Sequence, residues 1–309
     1  MQLNEQAAGV YIICVTPFTN EGDLDLPGTE TMVEFYLKHG ATGLTILGMM
    51  GEAPKLTMTE SLTFVGCVLK AVAGRVPVVV GVSGPGLASM AELTAAVMAA
   101  GAAGVMVAPP SNLRSDAQIR SYFAQVSKAI GTDTPWVLQD FPLATTVQIS
   151  SATIVQIVAD NPGCVMLKHE DWPGLNKIND LREAQVSGAM RPISILVGNG
   201  GMFYPEELGR GVDGAMTGFA FPEMMANVRD AWLAGNQEHA RDLFDAYLPL
   251  ARYEQQPGFG LAVRKYILAK RGAIGTPTLR APGPKLSPAD VAEIECLLER
   301  QIRRLAELN

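Results

Sequence analysis

Short apolar runs rich in Val, Ile and Leu return along the chain at roughly thirty-residue intervals, the length of one β–α unit. They are Val10–Val15, Gly43–Leu47, Val76–Val82, Gly104–Val107, Trp136–Leu138, Cys164–Leu167, Ile193–Val197 and Val212–Met216. Each is too short for an ordinary helix and apolar at successive positions, as a parallel strand buried on both faces should be. Helical stretches with glycine stops lie between them: Glu30–His39 before Gly40, Thr59–Ala73 before Gly74, and Ala88–Ala100 before Gly101. Alternating β and α units of this kind predict an α/β protein, a (β/α)8 TIM barrel. The rival architecture is a doubly wound open sheet. It normally carries a glycine fingerprint after its first strand, where this chain has Thr16-Pro17-Phe18.

Beyond Pro222 the pattern turns wholly helical, with Glu223–Ala234, Gln237–Leu250, Phe259–Arg271 and Pro288–Leu308. An eighth strand requires only one following helix. The surplus predicts a C-terminal helical extension, so residues 1–222 read as barrel core and 223–309 as last barrel helix plus extension. Gly275 to Pro284 is rich in Pro and Gly and reads as a loop.

Composition narrows the classes of partner. Of 309 residues, 48% are hydrophobic and 18% charged, as in a soluble globular enzyme. The net charge is −7 and no Lys/Arg-rich block stands out, which argues against nucleic acid or an acidic membrane surface. No apolar run approaches the ~20 residues of a membrane span. Met1 to Gly9 is polar and does not read as a signal peptide, so the cytoplasm is the expected location. Cys14, Cys67, Cys164 and Cys296 form no CxxC pair and are expected as free thiols. His39, His169 and His239 have no metal-ligand spacing, so neither a metal nor another cofactor is expected.

In a TIM barrel the chemistry lies at the C-terminal ends of the strands. Lys168 stands out there, because it ends the apolar run Cys164–Leu167. A lysine leaving a buried strand is costly unless paired or used. Partial burial also favours its neutral amine, the nucleophile for imine formation. Residue spacing alone leaves two readings open, a nucleophile or a lysine just past the strand end that reaches into solvent or pairs with Glu170. Glu170 shares a face with Lys168 if the extended chain continues, and can hold a proton in the site. Asp140 ends another strand and carries the same ambiguity. Gly48-Met49-Met50-Gly51 offers backbone N–H groups to an anion such as a carboxylate. Gly198-Asn199-Gly200-Gly201 offers the same, for a phosphate in the habit of the fold, or makes a tight turn.

These residues, taken together, resemble the dihydrodipicolinate synthase / N-acetylneuraminate lyase family of class I aldolases. Thr16-Pro17-Phe18 is similar to the family's first-strand TPF/TPM, and Leu47-Gly48-Met49-Met50-Gly51-Glu52 to its LG-[ST]-T-GE. Gln139-Asp140-Phe141-Pro142 sits where the family has Y-N-x-P, and Lys168 falls on the Schiff-base lysine. Gly211-Val212-Asp213-Gly214 matches G-[AV]-x-G. The resemblance implies a 2-oxo acid as small-molecule substrate, a Schiff base on Lys168 and a homotetramer. It departs from the synthases at the relay. Met49 and Met50 replace hydroxyl residues, Gln139 replaces the catalytic tyrosine, and the second relay tyrosine falls near Pro110-Ser111. The arginine that follows Y-N-x-P is absent from Leu143–Thr146. Gln-Asp-x-Pro with Lys-x-Glu, and Gly214–Gly218, resemble instead the branch containing 2-keto-3-deoxyarabonate dehydratase.

The expected activity is therefore an imine-forming lyase on a 2-keto-3-deoxy sugar acid, by dehydration or aldol cleavage. Lys168 is the expected nucleophile, with Glu170 or a bound water, and then Asp140, as candidates for the C3 proton, and Gln139 and Asn199 on substrate hydroxyls. Thr16, Met49, Met50, Gly51, Gly200 and Thr217 complete the expected binding set. The alternatives are a synthase-type condensation of pyruvate with an aldehyde, a non-catalytic 2-oxo acid binder, and a phosphate-using barrel of another class.

Overall fold

The computed structural model describes residues 1–84 and 86–308. Eight parallel strands close into one barrel in sequence order. They are β1 (Gly9–Ile13), β2 (Gly43–Ile46), β3 (Val78–Gly81), β4 (Gly104–Val107), β5 (Trp136–Asp140), β6 (Cys164–His169), β7 (Ser194–Val197) and β8 (Gly214–Thr217). Around them run α1 (Leu26–Lys38), α2 (Met58–Val72), α3 (Leu87–Ala99), α4 (Asp116–Ile130), α5 (Pro142–Thr145), α6 (Ser151–Asp160), α7 (Leu175–Val186), α8 (Tyr204–Leu208) and α9 (Pro222–Leu233). The chain continues into α10 (Gln237–Glu254), α11 (Gly260–Lys270) and α12 (Pro288–Ala306), the helical extension. No helix among the described residues is long and apolar enough to cross a membrane.

Each strand feeds two apolar layers because successive side chains face opposite sides. Outward residues such as Val10, Ile12, Leu44, Val80, Val105, Leu138, Leu167 and Val197 meet the helices in one large cluster. Inward residues form a second cluster that fills the barrel, among them Tyr11, Val79, Met106, Val137, Met166, Leu196 and Met216. Leu3 plugs the lower end, its N–H donating to the Ala103 carbonyl at 2.9 Å. Met50 packs on the same inner cluster from the loop that follows β2.

Helix starts follow local capping chemistry. Asp25 accepts from the Gly28 N–H and Pro27 sets the first turn, so α1 begins ahead of the expected Glu30. Thr57 and Glu60 form a capping box on α2. The cysteines are free, and burial pushes the Cys14 and Cys164 thiols up, away from the reactive thiolate.

Strands β5 and β6 run further than their apolar runs. Backbone pairing, not side-chain polarity, ends a strand, and the ladder continues through Gln139↔Lys168 and Asp140↔His169. That extra length decides the site. It puts Gln139 and Lys168 on the inner face and Asp140 and His169 on the outer one.

Candidate active site

At the upper end of the barrel interior the apolar filling gives way to Lys168, Gln139 and Glu170, all buried. Lys168 Nζ lies 2.9 Å from Glu170 Oε1, and Gln139 Nε2 donates to that same oxygen at 2.8 Å. The Asn199 N–H donates to Glu170 Oε2 at 3.3 Å, and Asn199 Nδ2 to the Glu170 backbone carbonyl at 2.8 Å. The Glu170 carboxylate thus sits between one ammonium and two amide donors. Charge-assisted bonds of this kind fix a carboxylate's orientation as well as stabilise it.

The glycine turn after β7 exists to make this possible. Gly198 has a negative φ, −114°, so no left-handed backbone calls for glycine here. A methyl group there would collide with Cγ and the carboxyl group of Glu170. Gly198→Ala is therefore expected to push the carboxylate aside by about an ångström, with kcat falling about 100-fold. Thermal melting should show only the ~1–3 kcal/mol of an overpacked position. Unchanged kcat in a folded variant would mean that the position of Glu170 is not critical.

The backbone N–H groups of that turn are committed within the protein. The Gly200 N–H donates to Thr217 Oγ1 at 2.8 Å and the Gly201 N–H to the Gly198 carbonyl at 2.9 Å. The carboxylate seated on the turn is Glu170 itself, which leaves no cradle for a phosphate. Thr217 braces Gly200. Gln139 and Asn199, expected on substrate hydroxyls, each give a side-chain amide N–H to Glu170, Gln139 to its carboxylate and Asn199 to its backbone carbonyl. Asn199 Oδ1 is buried with no partner and remains an acceptor.

Asp140 is not brought to Lys168. One residue beyond inward Gln139, it faces the helix layer, fully buried. There its Oδ2 takes Lys177 Nζ at 2.8 Å, with His169 Nδ1 at 3.7 Å. Lys177 also pairs with Asp171 at 2.7 Å. Alternation along a strand that outlasts its apolar run accounts for the difference from the expected role.

The loop after β2 coils into two successive 3-10 turns, Met49–Gly51 and Ala53–Lys55. The ring bonds of the first turn use the N–H groups of Gly51 and Glu52, donated to Gly48 and Met49 carbonyls at 3.0 and 3.1 Å. The Gly51 carbonyl accepts from Thr16 Oγ1 at 2.6 Å. Gly51 and Thr16 are therefore occupied with each other. The first N–H groups of such a turn, those of Met49 and Met50, have no partner inside it. The Met50 side chain covers the barrel interior, and that of Met49 is exposed.

Sequence reasoning missed the groups behind this loop. Glu52 is buried and accepts from Lys265 Nζ at 2.7 Å on Oε1, and from Lys55 Nζ at 2.8 Å and the Arg280 N–H at 3.1 Å on Oε2. Burial lowers Lys265 to about 8, against the opposing pull of Glu52. A second buried pair joins Arg264 Nε to Glu254 at 2.5 Å. The available signal was α11 itself. Apolar residues surround Arg264 and Lys265 on every side, so the helix had to be buried and its two cations had to find partners.

Comparison with known proteins agrees with this fold. The dihydrodipicolinate synthetase family model matches residues 6–301. L-2-keto-3-deoxyarabonate dehydratase of Azospirillum brasilense is 29% identical, over 94% of this chain and 94% of its own. Among solved structures, a dihydrodipicolinate synthase from Rhodopseudomonas palustris superposes with a TM-score of 0.96 at 49% identity, covering 97% of this chain and 99% of that one. A prophage protein of the dihydrodipicolinic acid synthase family from E. coli K12, in complex with pyruvate, superposes with a TM-score of 0.84 at 26% identity. The cover is 94% of this chain and 98% of that one.

Proposed function

The chain belongs to the dihydrodipicolinate synthetase family of class I aldolases and lyases, and from that membership we propose that it dehydrates a 2-keto-3-deoxy sugar acid through an imine on Lys168. The observation that carries this reading is the Lys168–Glu170–Gln139 constellation. A carboxylate held by amide donors lies against the lysine, and among the described residues no tyrosine hydroxyl is hydrogen-bonded to either.

The steps follow from those contacts. Glu170 takes a proton from the Lys168 ammonium, and the free amine attacks C2 of the 2-oxo acid. Glu170 returns that proton to the C2 oxygen, which leaves as water, and the protonated imine forms, an electron sink that acidifies C3. The Glu170 carboxylate removes a C3 proton to give the enamine. The enamine electrons then expel the C4 hydroxyl, which takes that proton back from Glu170 and departs as water. Gln139 carries no titratable proton and relays nothing. It holds Glu170 Oε1, and the Asn199 N–H holds Oε2. The free N–H groups of Met49 and Met50 receive the substrate carboxylate, and Asn199 Oδ1 accepts from a substrate hydroxyl. The dehydratase of Azospirillum brasilense supports this choice of reaction.

Sodium borohydride reduction in the presence of pyruvate, read by intact mass and peptide mapping, tests the imine. Turnover of a panel of 2-keto-3-deoxy sugar acids tests the dehydration. The expected result is a stable adduct on Lys168 and loss of water from at least one sugar acid. An adduct accompanied only by condensation with an aldehyde would replace dehydration by synthase chemistry. No adduct with any 2-oxo acid would remove the imine.

A further inference from the structure

A buried charge cluster outside the Lys168 centre ties the loop after β2 to the C-terminal extension. Glu52 closes the Met49–Gly51 turn in a left-handed backbone conformation, φ 55° and ψ 27°, which a side chain disfavours. Its carboxylate holds it there, with three donors from three parts of the chain: Lys265 of α11, Lys55 of the next turn, and the backbone of Arg280. Lys265 spends all of its N–H donors in turn. They go to Glu52 at 2.7 Å, the Thr16 carbonyl at 2.8 Å and the Thr278 carbonyl at 2.8 Å. Its ammonium also lies 4.4 Å from the centre of the Phe18 ring.

Thr16 completes the loop of contacts. Its carbonyl is bound by Lys265, while its hydroxyl holds the Gly51 carbonyl at 2.6 Å. Both residues that end the turn are thereby anchored, Gly51 by Thr16 and Glu52 by Lys265. The turn's free N–H groups, on Met49 and Met50, can point only where those anchors let them.

We propose that Glu52, clamped by Lys265, is a positioning residue for the Met49–Gly51 turn, through which the C-terminal extension sets the affinity of the site for the carboxylate of a 2-oxo acid. The proposal rests on the imine-forming reading above. Glu52 and Lys265 touch no reacting atom and act through the turn. The strand ladder closes without them, since every barrel strand pairs with both neighbours. Loosening the clamp should thus weaken binding more than it harms the barrel or the chemistry on Lys168.

Charge makes the clamp sensitive to pH. The charged groups facing the Lys265 ammonium are Glu52 and Lys55 from the β2 loop region and Arg280 from the C-terminal loop. Burial lowers Lys265 to about 8, so the ammonium is present below that pH and is lost as pH rises through it. Pyruvate affinity should fall along that alkaline limb.

The test is borohydride trapping of the full-length protein across a pyruvate titration, at several pH values, for wild type, Glu52→Gln and Lys265→Met. The expected result is a half-trapping concentration raised roughly ten- to hundredfold in both variants, the scale of one weakened charge-assisted hydrogen bond. Saturated trapping should reach the wild-type extent. The extra loss of affinity above about pH 8 should vanish in Lys265→Met. Glu52→Gln keeps the side chain's size and one acceptor, so it remains informative if Lys265→Met fails to fold. A wild-type adduct with the same pyruvate dependence in the folded variant or variants would overturn the clamp alone. Absence of any wild-type adduct would overturn the imine reading, and the clamp's role with it.

Discussion

Lys168→Ala is expected to lose the borohydride-trapped adduct completely and to lower turnover about 10⁴-fold or more, because no other group in the barrel interior replaces a covalent nucleophile. Among the described residues Lys168 Nζ is the one amine against Glu170, at 2.9 Å, and the neighbouring inward strand residue, Gln139, offers only an amide. Alanine also strips a buried carboxylate of its cation, and breaking one partner of such a pair costs ~3–5 kcal/mol. That is a sizeable share of the ~5–15 kcal/mol that separates a folded domain from its unfolded chain. Lys168→Arg separates the two effects. A guanidinium keeps the charge beside Glu170 but does not form an imine. Both variants should fail to trap pyruvate, whereas only alanine should melt markedly earlier. A Lys168→Arg protein with wild-type turnover would end the imine mechanism.

The barrel was legible because strands buried on both faces write themselves as continuous apolar runs, and a closed parallel sheet has only such strands. The ends of β5 and β6 were less legible. Their last residues, Gln139-Asp140 and Lys168-His169, are polar, so hydropathy stopped where hydrogen bonding did not. The misplacement of Asp140 follows from that. Counting alternation from outward Leu138 puts Gln139 inside and Asp140 outside, but only once the strand is known to continue.

Lys168 and Glu170 were legible for the converse reason, being charges that leave a buried strand two residues apart. The purpose of Gly198 was not legible. Its missing side chain makes room for Glu170, which belongs to a different strand end. The clamp of Glu52 by Lys265 joins groups from opposite ends of the chain, and no local pattern encodes such a pairing. Sequence could say only that the cations of α11 needed partners, not which ones.

Glu170→Gln should separate imine formation from the proton transfer that follows it. Glutamine keeps the length of the side chain and one carbonyl oxygen for Lys168, but it has no carboxylate to take the C3 proton. Loss of a general acid–base group costs typically ~10²–10⁴-fold in kcat. The new amide also places an NH2 among donors, since Lys168, Gln139 Nε2 and the Asn199 N–H all point at the carboxylate. One of those bonds is lost, at ~1–3 kcal/mol for a buried unsatisfied group. The adduct on Lys168 should still form, provided that trapping is run long enough for a slower capture of the lysine proton. Exchange of the pyruvate C3 protons in deuterated water, followed by NMR, reads the step itself. It should slow by the same factor as turnover if Glu170 is the base. Wild-type exchange in Glu170→Gln, with turnover alone reduced, would assign the C3 proton to a bound water and leave Glu170 the task of protonating the departing hydroxyl.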